Sequence, residues 1–329
     1  MNQSWNGPIQ VEPPNHCLVT RYVRQMKSIG IRMSLVLVMC TLGFDGKPLQ
    51  YINAQVPKPL ADANSDLSEI AFDLVTPRMT HTAPSAGNRV RHQLPRYSNS
   101  EVYHSLYLPE NWQPAAKYPV IVEYAGNGPF KNSIGDQCSG KVEDCNLGYG
   151  ISGGRDFIWV CLPYVNSIQQ QNQLQWWGDL DETVRYCKEA VQMLIDDYGG
   201  DRNRVFLSGF SRGAIACNYI GLHDDEIAAI WRGFICHSHY DGVRKWNYPN
   251  SDRASAVERL NRLQGRPQFI TQEKSVEVTR RYLKEVCPEG DFEIHVLPFR
   301  NHSDQWVLRN LPLRARLREW IKTQLEKTN

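Results

Sequence analysis

The chain of 329 residues reads as an α/β protein, with one mostly parallel sheet covered by helices on both faces. Two observations lead there. Apolar runs of strand length, such as "YPVIVEYAGNG" and "DFIWVCLPYV", are nearly continuous rather than alternating, as strands buried on both faces are. Amphipathic helical patterns stand between such runs, which is the signature of parallel strands joined by crossover helices.

In chain order, "RVRHQLP" and "EVYHSLYLP" alternate like two half-exposed strands, and "YPVIVEYAGNG" follows as a central one. A Gly-rich excursion from Lys131 to Gly154 precedes the buried strand "DFIWVCLPYV". "DLDETVRYCKEAVQMLIDDYGG" is a helix: Val184, Cys187, Val191, Leu194 and Tyr198 recur at helical spacing, acids crowd the first turn, and Gly199-Gly200 closes it. A strand over Val205–Ser208 and a helix from Arg212 to about Leu222 come next. Further strands fall near Arg232–His237 and Gln268–Thr271 and at "DFEIHVLPF", before an amphipathic helix from about Leu313 to Glu326. No internal repeat and no second domain is visible. The catalytic-size unit is expected over 89–329, preceded by an irregular, Pro-dotted linker or wrap over 46–88.

Composition is that of a globular domain, with 41 % hydrophobic and 22 % charged residues. The 37 basic and 35 acidic residues leave a net charge of +2, and no Lys/Arg block stands out. Electrostatics therefore give no case for nucleic acid or a membrane surface as partner. Residues 1–45 form an N-terminal extension. Within it, Lys27 and Arg32 precede an apolar core over Met33–Met39, and Thr41 and Gly43 follow as small residues suited to cleavage. That is the layout of a secretory signal peptide beginning at Met26, with Met1–Gln25 as an over-extended start and a secreted or periplasmic product. A buried strand over Ile31–Cys40 is the alternative, and acylation of Cys40 is disfavoured by bulky Met39 before it.

Export would permit disulfides among the seven cysteines after this segment, with Cys138 and Cys145 the easiest pair to imagine bridged. Cys161, Cys187 and Cys217 sit in apolar patterns and read as small hydrophobes. No C-x-x-C occurs, and His237-x-His239 lacks the further ligands a metal would need, so no metal or cofactor is expected.

Chemistry concentrates at "RVFLSGFSRGAIA". Ser211 stands between Gly209 and Gly213, after strand-like residues and before a helical pattern. Such a strand-to-helix turn lifts a serine hydroxyl clear of its own backbone, and glycines are needed where a Cβ would strike neighbouring chain. A serine nucleophile needs an imidazole to take its proton and an acid to orient that imidazole. His302, in "VLPFRNHSDQW" after the last strand, has the right place in chain order. For the acid, Asp241, in "CHSHYDG" a few residues beyond the carboxyl end of its strand, is preferred over Glu273; Ser275 stands where an Asp would be sought, and Asp304 reads as a helix cap. Backbone N–H groups of Arg212, Gly126 and Asn127 are the expected oxyanion donors. Trp176 and Trp177 are expected either to line the cleft as an apolar or sugar-stacking wall or to pack in the core.

"VYHSLYLPENWQPAAKYPVIVEYAGNG", "YGGDRNRVFLSGFSRGA" and "NHSDQW", taken in order, resemble the α/β-hydrolase serine esterases, and among them the secreted poly(hydroxybutyrate) depolymerase and feruloyl or acetylxylan esterase-like group. The resemblance covers roughly Val102 to the C-terminus. It implies the α/β-hydrolase fold and cofactor-free ester hydrolysis through an acyl-enzyme on Ser211, with His302 as general base. It departs from the group at Ala125-Gly126, where His-Gly is usual, and at Glu273 and Ser275, where an Asp is usual. The expected substrate is a small-molecule or polysaccharide-linked ester. A serine peptidase of the prolyl-oligopeptidase kind and a catalytically silent hydrolase fold that only binds are the alternatives.

Overall fold

The computed structural model describes residues 65–327. The signal-peptide reading from Met26, the extension over 1–45 and the first part of the 46–88 segment lie outside the described residues.

The architecture is a three-layer α/β sandwich. Its eight-stranded sheet has the order β1-β2-β6-β3-β9-β10-β11-β12. These are β1 (Arg89–His92), β2 (His104–Tyr107), β3 (Tyr118–Tyr124), β6 (Ile158–Leu162), β9 (Gly200–Phe210), β10 (Gly233–His237), β11 (Gln268–Glu273) and β12 (Phe292–Leu297). β2 runs antiparallel to both neighbours, while β6, β3, β9, β10, β11 and β12 are mutually parallel. Successive side chains on a strand point to opposite faces, so each apolar strand feeds two cores. Val120, Val122, Leu207 and Phe234 pack with Val184, Ala190 and Leu194 of α2 (Leu180–Asp197) and Ile215 of α3 (Arg212–Tyr219). Ile121, Phe206, Ile235 and Phe269 pack on the other face with Leu147 and Ile151 of α1 (Leu147–Ser152) and with Leu317, Trp320 and Ile321 of α7 (Pro312–Glu326).

Three departures from the sequence reading have local causes. β9 runs the full length from Gly200, because Tyr118 and Val120 of β3 pair along it on either side of an irregularity. The Gly-rich excursion is not a plain loop: it contains the hairpin of β4 (Phe130–Lys131) and β5 (Gln137–Cys138), then α1. Cys138 and Cys145 are not bridged; all seven described cysteines are free thiols, and the Cys145 sulfur lies 2.8 Å from that of Cys161 on β6 instead. β5 holds Cys138 away, beside Gly126, where an added Cβ would come within 3.0 Å of its sulfur.

Apart from a 3-10 turn over Leu67–Glu69, residues 65–88 are irregular, yet they are held by bridges from Phe72 to Arg309, Thr80 to Val90 and Ala86 to Leu108. No helix among the described residues is long and apolar enough to cross a membrane.

Two carboxylates, Glu123 buried and Asp304 half-buried, bracket the start of α1. Glu123 on β3 accepts the N–H groups of Leu147 and Gly148, at the start of α1, and the indole N–H of Trp159. Asp304 accepts the backbone N–H and the side-chain amide of Asn146, the residue before α1. Burial pushes Asp304 up from the usual 3.8 to about 7, the nearby Glu123 charge adding to it and the Asn146 hydrogen bonds opposing it. A raised carboxyl favours the folded state while protonated, so its contribution is lost as pH rises towards about 7. Thermal unfolding is therefore expected to show a decline in Tm over that interval that is shallower in Asp304→Asn; an unchanged slope would exclude Asp304 as the titrating group.

Candidate active site

The carboxyl ends of β9, β10 and β11 lie side by side, and sites in open parallel sheets form at such ends. Ser211 follows β9 directly and caps α3, with φ 55° and ψ −113°. A non-glycine residue seldom adopts that conformation, and the flanking glycines make it feasible. A Cβ on Gly209 would fall 2.1 Å from the Gly213 carbonyl oxygen, and one on Gly213 would fall 1.9 Å from that of Tyr124. The Ser211 N–H is tied to the His237 carbonyl at the end of β10 (2.9 Å). The turn is thus closed on both sides by backbone.

The Ser211 hydroxyl lies 3.0 Å from His302 Nε2. Ser211 is 9 % exposed and the His302 side chain 24 %, so the pair can be reached from the imidazole side. On the far side of the ring, His302 Nδ1 is 3.2 Å from Glu273 Oε1 and 2.8 Å from Ser238 Oγ. Burial raises the Glu273 carboxyl, but the His302 hydrogen bond and the neighbouring His237 and His302 rings outweigh it and hold it down to about 2. An ionised Glu273 accepts but cannot donate, so it favours the tautomer with the proton on Nδ1 and the lone pair on Nε2, facing Ser211.

Asp241, the acid preferred from sequence, is elsewhere. Both of its carboxylate oxygens are taken by the guanidinium of Arg259 on α5 (Arg253–Leu260), at 2.9 and 3.1 Å, and its side chain is 1 % exposed. The carboxylate is committed to this buried bidentate pair and makes no hydrogen bond to His302. Glu273, the alternative, is the acid the structure brings to the imidazole. Asp304 reaches Asn146 and not His302.

Several groups outside the predicted site residues surround or hold His302. Asp136, just before β5, accepts the His302 backbone N–H (2.9 Å) and the Asn301 amide (2.8 Å). Asn301 also accepts the N–H of Leu67, so residues at the start of the described chain brace the histidine loop. The rings of Phe210 and Phe130 lie 4.8 and 5.5 Å from that of His302. Buried His237 uses Nε2 to donate to the Ser303 carbonyl and meets the Thr271 hydroxyl through Nδ1, at 3.0 and 2.8 Å. His239 packs against His302 at 5.3 Å, with burial pushing it down to about 4. His237 and His239 stand out in the sequence only as a histidine pair, and the tertiary contacts alone place them and the others around His302.

The two segments that carry the expected oxyanion donors, the elbow and the Gly126 loop, are tied together through Arg212. The N–H of Arg212 belongs to the first turn of α3, where no intrahelical acceptor exists. Across from it, the carbonyls of Ala125 and Gly126 are taken by the Tyr164 hydroxyl (2.9 Å) and an Arg212 guanidinium nitrogen (2.8 Å). The other Arg212 terminal nitrogen binds the Trp176 carbonyl, and the Asn127 side chain accepts the Trp176 N–H. One buried arginine, lying 3.8 Å over the Tyr164 ring, therefore ties the elbow to the Gly126 loop. The tryptophans divide. Trp177 is core, stacked on Tyr219 at 4.5 Å. Trp176 is half-buried against Trp246 and Tyr248, and Trp246 faces His239. A cleft of about 730 Å³ is lined by Gly126, Phe130, Phe210, Cys138 and Asp304 among others.

A strained Ser turn at a strand–helix junction, a parallel sheet of this order and an imidazole from the loop after the last strand define an α/β-hydrolase fold. No family model matches the chain, and no curated protein matches it. Among solved structures it is similar to a thermostable esterase, with TM-score 0.45, 14 % identity, and 71 % of this chain and 62 % of that one covered. It is also similar to esterase 2 of Thermogutta terrifontis phosphoramylated by tabun, with TM-score 0.47, 14 % identity and 70 % and 90 % covered. A third is the AtxE2 isopeptidase, with TM-score 0.46, 11 % identity and 74 % and 40 % covered. The chain thus spans less than two thirds of the thermostable esterase and of the isopeptidase. These likenesses assign no role to any residue here.

The two acids should separate by stability. Asp241→Asn strips a buried guanidinium of its charge partner and is expected to cost about 3 kcal/mol of unfolding free energy in a urea titration. Wild-type stability in that variant would show that the Asp241–Arg259 pair is not formed.

Proposed function

We propose that this chain is a serine hydrolase that cleaves a carboxylic ester, carbohydrate-linked or a related acyl ester, through an acyl-enzyme on Ser211. The observation that carries the reading is the aligned series Ser211 Oγ, His302 Nε2, His302 Nδ1, Glu273 Oε1, with contacts of 3.0 and 3.2 Å. In this reading His302 takes the Ser211 proton as the hydroxyl attacks the ester carbon. The N–H groups of Arg212 and of Gly126 or Asn127 receive the charge that develops on the carbonyl oxygen. His302 then protonates the departing alkoxide, and a water activated by the same ring releases the acid. Glu273 keeps the imidazole in the accepting tautomer and balances its charge when protonated. The half-buried shelf of Trp176, Trp246 and His239 is the wall against which the substrate is proposed to lie.

Three variants test this with a chromogenic short-chain ester. Ser211→Ala is expected to lower kcat/KM by at least roughly 10³-fold. Glu273→Gln is expected to lower kcat by roughly 10²- to 10⁴-fold with the imidazole still in place. Asp241→Asn should retain wild-type kcat at a temperature where it is folded. Equal rates for wild type and Ser211→Ala would remove the serine from the mechanism, and cleavage of peptide but not ester substrates would favour the peptidase alternative.

Export remains part of the proposal, motivated by Lys27, Arg32 and the apolar core over Met33–Met39. Expression in a host with a secretory pathway should yield an extracytoplasmic product whose first residue lies shortly after Thr41. A cytoplasmic product that retains Met33–Met39 would refute it.

A further inference from the structure

We propose that Ser238 is a positioning residue for His302: its hydroxyl oxygen forms, with Glu273, a two-pronged acceptor that holds the Nδ1 proton and so keeps Nε2 bare for Ser211. The inference rests on the serine-hydrolase reading above but concerns a residue outside the triad.

Ser238 is the first residue after β10, and Ser211 follows β9, the adjacent strand. Its Oγ is 2.8 Å from His302 Nδ1, shorter than the 3.2 Å to Glu273. Nδ1 carries one hydrogen at most, so two oxygens at this range share it in a fork. A hydroxyl can also donate. With its proton turned onto Nδ1, it would move the ring proton to Nε2, towards Ser211, and the base would be lost. Ionised Glu273 opposes that state, because it attracts a proton on Nδ1 and supplies none. The carboxylate thus decides the direction of the Ser238 bond, and Ser238 supplies the closer contact.

The backbone supports the assignment. Ser238 has φ 86°, a region that favours glycine, and it is kept there by its N–H bond to the Thr271 carbonyl (2.7 Å). The preceding carbonyl, of His237, is engaged by the Ser211 N–H. One peptide therefore connects the nucleophile's turn to the group beneath the imidazole. Glycine would occupy this position with less strain, yet it would leave Nδ1 with the longer contact alone.

That contrast is the test. Ser238→Ala and Ser238→Gly both lack the hydroxyl but differ in how well they tolerate φ 86°. If the hydroxyl positions His302, both lower kcat to a similar degree, roughly tenfold, for the loss of one hydrogen bond to a charged-state group, with KM within about twofold. In parallel, the downfield proton resonance of the His302 Nδ1–H, assigned by its disappearance in His302→Ala, should move in both variants. If strain alone matters, Ser238→Gly keeps wild-type kcat and an unmoved resonance while Ser238→Ala does not, and the proposal falls. It also falls if neither variant changes either readout. Should Ser238→Ala fail to fold, the glycine variant still decides. Should the wild type prove inactive on esters, the hydrolase reading fails on that result alone, and the resonance shift still decides the Ser238 contact.

Discussion

The structure depends on how tightly the chain doubles back at Ser211. The Gly213 Cα sits against the Tyr124 carbonyl, and Gly209 sits against Gly213, at separations where any Cβ would overlap backbone atoms. This packing locks the end of β9 to the end of β3 and aims the first turn of α3 at the space above Ser211. Everything else in the site is placed with respect to that point. The Arg212 guanidinium reaches back to the Gly126 and Trp176 carbonyls, so the residue after Ser211 also secures the loop opposite it.

The imidazole side is built differently. His302 lies on a loop without regular structure, and it is positioned by side chains drawn from many places. Asp136 holds its N–H, Asn301 links it to Leu67, His237 holds the Ser303 carbonyl, and Asp304 anchors the loop to the start of α1. Each contact is a hydrogen bond of modest net worth, but each partner is largely buried, so an unmade bond would leave a desolvated polar group. The 3.0 Å contact between His302 and Ser211 thus depends on several independent anchors of the histidine loop.

The residues that were legible in the sequence share a property. Ser211, Gly209 and Gly213 form a motif whose constraint is local, and His302 follows from chain order in this kind of sheet. The Gly126 loop was legible because it ends an unmistakable strand. The acid was not. Asp241 and Glu273 both lie close beyond strand ends, and their separation depends on α5, a helix with no clear pattern of its own, delivering Arg259 to one of them. The cysteines misled for a similar reason: seven positions of spacing suggested a bridge, while the β4–β5 hairpin and α1 send the two sulfurs to different neighbours. Trp176 and Trp177, adjacent in sequence, part into a half-buried and a core position at the backbone turn of Trp176, where φ is 51°.

By itself the amino-acid sequence determined the layered class, the succession of the central strands, and the serine turn, because periodicity and backbone sterics act within a few residues. The tertiary structure alone decided which carboxylate meets the imidazole, which hydroxyls lie against it, and which thiols are neighbours. Those outcomes depend on strand register and on competition between distant partners for one buried charge, and no short stretch of chain encodes that competition.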